Sequence, residues 1–151
     1  RLIDMKIEPF LIAPSLNLMV GQRLVSRLCQ SCKVAETAPP EVSEIIKKEL
    51  NKIPKEIIEN LKLKIENSYN IYHSQGCQVC KNKGYSGRVA LFEILEMTPQ
   101  LKEIVSEEPT EPKILEEALR QGMVSLRQDG VLKALDGLVS IEEVLRETTE
   151  M

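Results

Sequence analysis

Cys29-Gln-Ser-Cys32 and Cys77-Gln-Val-Cys80 are two Cys-x-x-Cys pairs, and the 44 residues 33–76 separate them. Such a pair can turn both thiolates to one side of a tight loop, and two such loops supply four sulfurs for a tetrahedral zinc ion. The chain has four cysteines, so none is left over. The pattern predicts one structural zinc ion held by Cys29, Cys32, Cys77 and Cys80, with no open position for water.

Three other uses of the cysteines compete with zinc. Two structural disulfides would need an oxidising compartment, and the sequence does not begin with a secretory signal. A dithiol redox site usually has one pair opening a helix after a strand, whereas two facing pairs favour a metal. Iron bound by the same four thiolates stays an open alternative.

The composition is that of a globular protein and excludes several classes. The chain has 151 residues, of which 42% are hydrophobic and 28% charged, with a net charge of −3. An overall basic surface for nucleic acid is therefore excluded, and no apolar run reaches the roughly 18 residues that span a bilayer. Aromatic residues make up only 3%, so Leu, Ile and Val must fill the core. A small core of this kind is often supported by a metal.

The chain begins with Arg1 and not Met, so we expect a piece of a longer protein.

Hydrophobic patterns predict a helix-dominated α+β fold. Strands are expected over 17–26, 69–73 and 87–95, with the first and last paired antiparallel. Residues 1–13 predict two short helical pieces, the second starting at Pro9. Two further helices, starting at Pro40 and Pro54, form an insert that explains why the interval exceeds the about 15–20 residues of a common zinc ribbon. The remaining helices are expected over 99–107, 110–121, 125–136 and 140–148.

Side-chain patterns within these helices suggest structural roles. The apolar stripes of the insert are typical of core contacts: Val42, Ile45, Ile46 and Leu50 on its first helix, and Ile57, Ile58, Leu61 and Leu63 on its second. Ser140 followed by Glu143 predicts a capping box. The acidic pairs Glu116-Glu117 and Glu142-Glu143 are interpreted as solvated helix faces.

Other catalytic chemistry finds little support. The single histidine, His73, is interpreted as a strand residue beside the second cysteine pair, with a metal-ligand role as the lesser alternative. No Gly-x4-Gly-Lys-Ser/Thr loop occurs, so the chain does not carry the usual site for a nucleoside triphosphate.

Several motifs resemble one family in order and spacing. The segment 1–13 with its Glu8-Pro-Phe, Gln22-Arg-Leu-Val before the first cysteine pair, and Gly76-Cys with Asn82-x-Gly-Tyr-x-Gly-Arg88 are similar to the late part of the type II secretion and type IV pilus assembly ATPases. Asp129-Gly-Val-x-Lys133 and Ile141-Glu-Glu-Val-Leu-Arg146 extend the resemblance over nearly the whole chain.

The resemblance implies a C-terminal fragment of a hexameric, RecA-like motor. Residues 1–28 would be the last elements of the ATPase core, 29–84 a tetracysteine zinc subdomain with its insert, and 85–151 a strand and a C-terminal helical bundle. The parent would be an ATPase using ATP and Mg²⁺, cytoplasmic and peripheral at the inner membrane, where it engages a platform protein. The fragment itself would not be an enzyme and would not bind nucleic acid. Arg23 and Arg88 are candidates for contacts that orient the zinc subdomain. The alternative function is a free-standing structural zinc adaptor that binds a protein partner.

Overall fold

The computed structural model describes residues 2, 5–107 and 109–148. Within these ranges the chain forms seven helices and four strands, so the helix-rich mixed α+β class is confirmed. The elements are α1 (Pro9–Ser15), β1 (Leu18–Leu28), β2 (Lys33–Thr37), α2 (Pro40–Leu50), α3 (Lys55–Asn60), β3 (Asn70–Ser74), β4 (Tyr85–Glu96), α4 (Pro99–Glu107), α5 (Glu111–Arg120), α6 (Leu126–Leu135) and α7 (Ile141–Glu147). α1 is the second helical piece expected near the start, and the other falls on a segment whose residues 1, 3 and 4 lie outside the description.

The chain divides into two compact units. The smaller comprises residues 1–21 and 93–123 and holds α1, α4 and α5. One apolar face of each helix packs against the end of β4. The buried residues of this core are Ile12, Ala13, Leu95, Met97, Leu101, Val105 and Ala118. The Thr98 hydroxyl accepts from the Leu101 N–H at 3.2 Å and so caps the start of α4, as the Thr-Pro signal predicts.

The larger unit comprises residues 22–92 and 124–151 and contains all four cysteines. Helices α2 and α3 of the insert do not form a core of their own. Their side chains join those of α6, α7 and the strands in one cluster: Val25, Ala38, Ile46, Leu50, Ile53, Ile58, Tyr69, Ile71, Leu91, Val131, Ala134, Val139, Ile141 and Val144. The interpretation of the insert stripes as core is thus confirmed for Ile46 and Leu50, while Leu61 near the end of α3 is exposed.

Two pairs of strands organise the larger unit. β1 and β4 are hydrogen-bonded neighbours, as predicted, and their antiparallel direction stays a prediction. β2 and β3 pair antiparallel from Lys33 opposite Ser74 to Thr37 opposite Asn70. β2 was not expected from the sequence, because Lys33–Thr37 shows no apolar alternation. In the structure its five residues are mostly exposed. The β2–β3 pair brings together the two ends of the segment that separates the two cysteine pairs.

Two carboxylates that were expected to be solvated are buried. Glu117 is buried in the smaller unit, where Arg120, Gln121 and Thr98 donate to its carboxylate. Glu143 is buried in the larger unit, where it accepts from the backbone N–H of Ser26 at 3.0 Å. The solvated interpretation is therefore wrong for these two residues, because hydrogen-bond partners compensate the cost of their burial: Arg120, Gln121 and Thr98 for Glu117, and Ser26 for Glu143.

The same contact alters the predicted capping box. The Ser140 hydroxyl accepts from the Glu143 N–H at 3.3 Å, so the N-cap of α7 is confirmed. The reciprocal bond is replaced, since the Glu143 carboxylate faces Ser26 instead. A complete capping box forms at Ser125 and Gln128, at the start of α6.

Among the described residues no helix is long and apolar enough to cross a membrane. The division at residues 28 and 84 stays a prediction.

Candidate metal centre

The four cysteines occupy two loops that join strands. Cys29–Cys32 lies between the end of β1 and the start of β2. Cys77–Cys80 lies between the end of β3 and the start of β4. Because Lys33 of β2 is opposite Ser74 of β3, the strand pairing brings the two loops side by side. We call them the first knuckle (residues 29–32) and the second knuckle (residues 77–84).

The thiol sulfurs form a compact cluster. The Sγ atoms of Cys29 and Cys77 are 3.9 Å apart, as are those of Cys32 and Cys80, and those of Cys77 and Cys80 are 3.8 Å apart. All four lie within 4.8 Å of one another. Four sulfurs at about 2.3 Å from a tetrahedral ion are separated by about 3.8 Å, so these residues fit zinc. The separations are nearly twice the about 2.05 Å of a disulfide, and all four cysteines are free.

Backbone hydrogen bonds hold the second knuckle in its shape. The N–H groups of Cys77 and Gly84 donate to Cys80 Sγ at 3.1 and 3.3 Å, and the Asn82 N–H donates to the Cys77 carbonyl at 2.8 Å. Lys81 and Asn82 both have left-handed backbone angles, with φ of 53° and 60°. Such angles cost energy for non-glycine residues and persist where surrounding contacts impose them.

Gly76 is required by the tight approach within this knuckle. Its φ is 90°, and a Cβ at this position would lie 2.9 Å from the Asn82 carbonyl oxygen. A side chain would therefore collide with backbone that cannot move away without opening the loop.

The first knuckle is fastened to the second and to the turn between α6 and α7. The Cys29 N–H donates to the Gly84 carbonyl at 2.9 Å. The Gln30 side-chain amide and the Lys33 ammonium both donate to the Gly137 carbonyl at 3.1 Å. No local sequence pattern marks Gln30 or Lys33 as partners of Gly137. The helix pair α6–α7 thus contacts the metal-binding loop directly.

The surroundings of Cys32 and Cys80 shift the pKa values of their thiols in opposite directions. Burial, with hydrogen bonds to the thiols of Cys29 and Cys77, raises the pKa of the Cys32 thiol to about 12. Burial also acts to raise the pKa of Cys80, but the N–H groups of Cys77 and Gly84 donate to its sulfur and lower the pKa to about 6. The fold therefore favours the ionised form of Cys80, and a metal ion would have to displace the proton of Cys32.

The remaining candidate residues lie apart from the sulfurs. Arg23 is half exposed and pairs with Glu147 of α7 at 3.1 Å, an ordinary surface ion pair. Arg88 is exposed, and no acidic partner for it occurs among the described residues. His73 Nδ1 lies 3.5 Å from Glu36 Oε1. In the described part of the chain the one cluster of potential metal ligands is the four cysteines, and His73 is not a member.

Comparison with known proteins identifies the family. The family described as "Type II/IV secretion system protein" matches residues 1–146. The chain belongs to this family. The type IV pilus assembly ATPases PilB of Myxococcus xanthus and Pseudomonas aeruginosa are each 38% identical, over 148 and 151 residues, or 98% and 99% of this chain. The type II secretion system ATPase E of Vibrio cholerae is 37% identical over 150 residues, or 99% of this chain. The chain spans about a quarter of the length of these relatives, 24% of the first two and 27% of the third.

Proposed function

We propose that this chain is the C-terminal, zinc-containing part of a hexameric motor ATPase that powers pilus or pseudopilus assembly. The observation that carries the proposal is the cluster of four thiols, whose sulfurs lie within 4.8 Å of one another, in a chain of the secretion-ATPase family. In this proposal residues 1–28 are the last elements of a RecA-like core, and 85–151 a strand and a C-terminal helical bundle. The parent protein hydrolyses ATP with Mg²⁺ at a site outside this chain. It works in the cytoplasm, peripheral at the inner membrane, against a platform protein.

Cys29, Cys32, Cys77 and Cys80 would hold one Zn²⁺ ion. The ion would supply structural cross-linking and no catalysis, because four thiolates leave no position for water or substrate. Forming the site joins two loops separated by 44 residues, and metal binding offsets the entropy lost in closing that interval. The same four thiolates would also accept iron, so the metal must be identified directly.

The metal-binding part is proposed to act as a rigid docking element. Gln30 and Lys33 fasten the first knuckle to the turn after α6, and the insert helices share one core with α6 and α7. A chemically inert cross-link in such a unit transmits movement without deforming. This geometry supports a role in passing movements of the ATPase core to a membrane partner, with Arg23 and Arg88 as lesser candidates for orienting contacts.

The metal claim is tested by elemental analysis of the purified protein and of Cys77→Ser. We expect one zinc ion per chain, and a loss of zinc in the variant. Gln78→Ser, in the same knuckle and exposed, is the matched control and should retain zinc. Iron in place of zinc, or no metal in protein prepared without chelators, would contradict the proposal.

The docking role is tested by placing Cys29→Ser in the full-length ATPase. Hexamer formation, basal ATPase activity and pilus or pseudopilus assembly are measured separately, with the exposed neighbour change Ser31→Ala as control. We expect a folded hexamer that keeps basal ATPase activity and loses assembly. Normal assembly by a hexamer that has lost its metal would show that the zinc element is dispensable.

The motor and the free-standing adaptor are distinguished by the gene. A phosphate-binding loop encoded in frame upstream of Arg1 is expected for the motor. A stop codon directly before the codon for Arg1 would favour the adaptor and contradict the proposal.

A further inference from the structure

Acidic residues are absent from two long segments of the chain. The segments 9–35 and 67–92, which contain both knuckles, have no Asp or Glu, although the chain has 23 acidic residues. The same segments carry six basic residues: Arg23, Arg27, Lys33, Lys81, Lys83 and Arg88. The metal-binding loops are therefore a basic region in a chain whose net charge is −3.

Two of these basic groups are used within the fold. Arg23 pairs with Glu147. The Lys33 ammonium donates to the Gly137 carbonyl and lies 5.1 Å from the centre of the Tyr72 ring. Lys81 and Lys83 are different, because both are exposed and, within the described residues, neither ammonium has an acidic partner.

An exposed apolar side chain precedes the two lysines on the second knuckle. Val79 is 70% exposed, although most valines of this chain are at least half-buried. We call Val79, Lys81 and Lys83 the knuckle face. Its backbone is fixed by the hydrogen bonds from Cys77, Asn82 and Gly84 and by the left-handed conformation of Lys81 and Asn82. A surface already held in its binding shape loses little conformational entropy when a partner binds.

Neither lysine is bound to the thiols. The described hydrogen bonds to Cys80 Sγ come from backbone N–H groups, and no described hydrogen bond joins the Lys81 or Lys83 ammonium to a cysteine sulfur. Both ammonium groups are therefore available to a partner.

We propose that the knuckle face binds an acidic protein segment that contributes an apolar side chain opposite Val79. The inference rests on the proposed docking role and assigns it to a surface and a partner chemistry. Two lysines and one valine attract an anionic membrane only weakly, since each basic residue adds a small contribution that salt screens. An acidic protein segment can place carboxylates against both ammonium groups and an apolar side chain against Val79.

The test uses the full-length ATPase in its own cells, with a photo-crosslinking amino acid in place of exposed Gln78. Lys81→Glu/Lys83→Glu reverses the proposed contact. Lys62→Glu/Lys64→Glu is the matched control, because it changes a second exposed Lys-x-Lys in the same unit, whose first lysine also has a φ of 53°. The readouts are the crosslinked peptide identified by mass spectrometry, the zinc content and the assembly activity.

We expect a crosslink to a net-acidic segment of another protein. Its yield should fall at least about fivefold in Lys81→Glu/Lys83→Glu and change by less than about twofold in the control, with zinc content unchanged in both. A crosslink to lipid, a crosslink to a second copy of this chain, no crosslink, or a yield that is unaffected by the reversal would each overturn the proposal.

The assembly readout separates this proposal from the docking role. If Lys81→Glu/Lys83→Glu assembles normally while Cys29→Ser does not, the knuckle face is the wrong surface and the docking role stands. If both assemble normally, the docking role itself fails.

Discussion

Glu143 joins α7 to β1 through a single buried carboxylate. It accepts from the Ser26 N–H, pairs with Arg146 and is only 5% exposed. Burial acts to raise the pKa of Glu143, but the Ser26 N–H and the Arg146 guanidinium outweigh it and lower the pKa. The ionised form is therefore the one that the fold stabilises.

We expect Glu143→Gln to lower the free energy of unfolding by about 1 kcal/mol at neutral pH, because a neutral amide replaces a charge-assisted acceptor. Glu142→Gln is the matched control, since Glu142 is exposed on the same helical turn, and should change stability by less than about 0.5 kcal/mol. Urea unfolding of both variants measures the difference. Equal stabilities would show that the Ser26 contact contributes nothing.

Glu117 makes the stability of the smaller unit sensitive to acid. Hydrogen bonds from Arg120 and Gln121 lower the pKa of Glu117 from 4.5 to about 2, against the opposing effect of burial. The carboxylate therefore stabilises the fold above pH 4.5, and this contribution is lost as the pH falls from 4.5 towards 2. Thermal unfolding followed between pH 2 and 7 should show a shallower acid-induced decline in Glu117→Gln than in the exposed-site control Glu116→Gln. Parallel pH profiles would contradict this assignment.

At the level of elements, Gly130 sets the approach of α6 to its neighbours. A Cβ at this position would lie 2.5 Å from Val144 Cγ1 of α7 and 3.2 Å from Leu91 Cδ1 of β4. Alanine is the better helix former by about 1 kcal/mol, yet overpacking typically costs about 1–3 kcal/mol. We expect Gly130→Ala to destabilise the protein in denaturant unfolding.

A double-mutant cycle with Val144→Ala isolates the contact. The double variant should be more stable than the sum of the two single changes predicts, since removing the Val144 methyl groups makes room for the new Cβ. Additive effects would show that the close approach is not the cause of the destabilisation.

Helix α6 also binds the backbone of β4 through Asp129 and Lys133, which are four residues apart. Asp129 accepts from the Phe92 N–H at 2.8 Å, and the Lys133 ammonium donates to the Ala90 carbonyl at 2.9 Å while also pairing with Asp129. The Asp-Gly-Val-x-Lys motif thus combines two groups that bind a strand backbone with a glycine that allows the approach.

Most elements could be predicted from sequence because their signals are local. Strands β1 and β4 are rich in apolar residues, and the later helices have Thr, Ser, Pro or Gly at their ends. β2 could not be predicted, since Lys33–Thr37 becomes a strand through pairing with β3 across an insert. Glu143 was misjudged for a related reason. Its partner Ser26 is 117 residues away, and the capping-box pattern considers only neighbours along a helix.

In the candidate site, too, local sequence signals could be predicted and long-range contacts could not. Cysteine spacing predicted which four residues would meet, because the ligand types and loop lengths are written in the sequence. The backbone donors to Cys80 and the contact of Gln30 and Lys33 with Gly137 depend on how strands and helices pack. These contacts have no sequence pattern of their own.

For the whole molecule, we expect metal binding and the stability of residues 29–84 to be linked. In Cys77→Ser the amides of Cys29, Asn82 and Gly84 should exchange with deuterium at least about tenfold faster than in Gln78→Ser, because their hydrogen bonds depend on the closed knuckles. Unchanged exchange at these amides would mean that strand pairing and the shared core hold the loops without a metal.

X-ray absorption at the zinc edge of the purified protein tests whether four thiolates hold one zinc ion. We expect one zinc ion per chain with four sulfur neighbours at about 2.3 Å and no nitrogen or oxygen neighbour. A nitrogen or oxygen ligand in the first shell, fewer than four sulfurs, or less than one zinc ion per chain would contradict it.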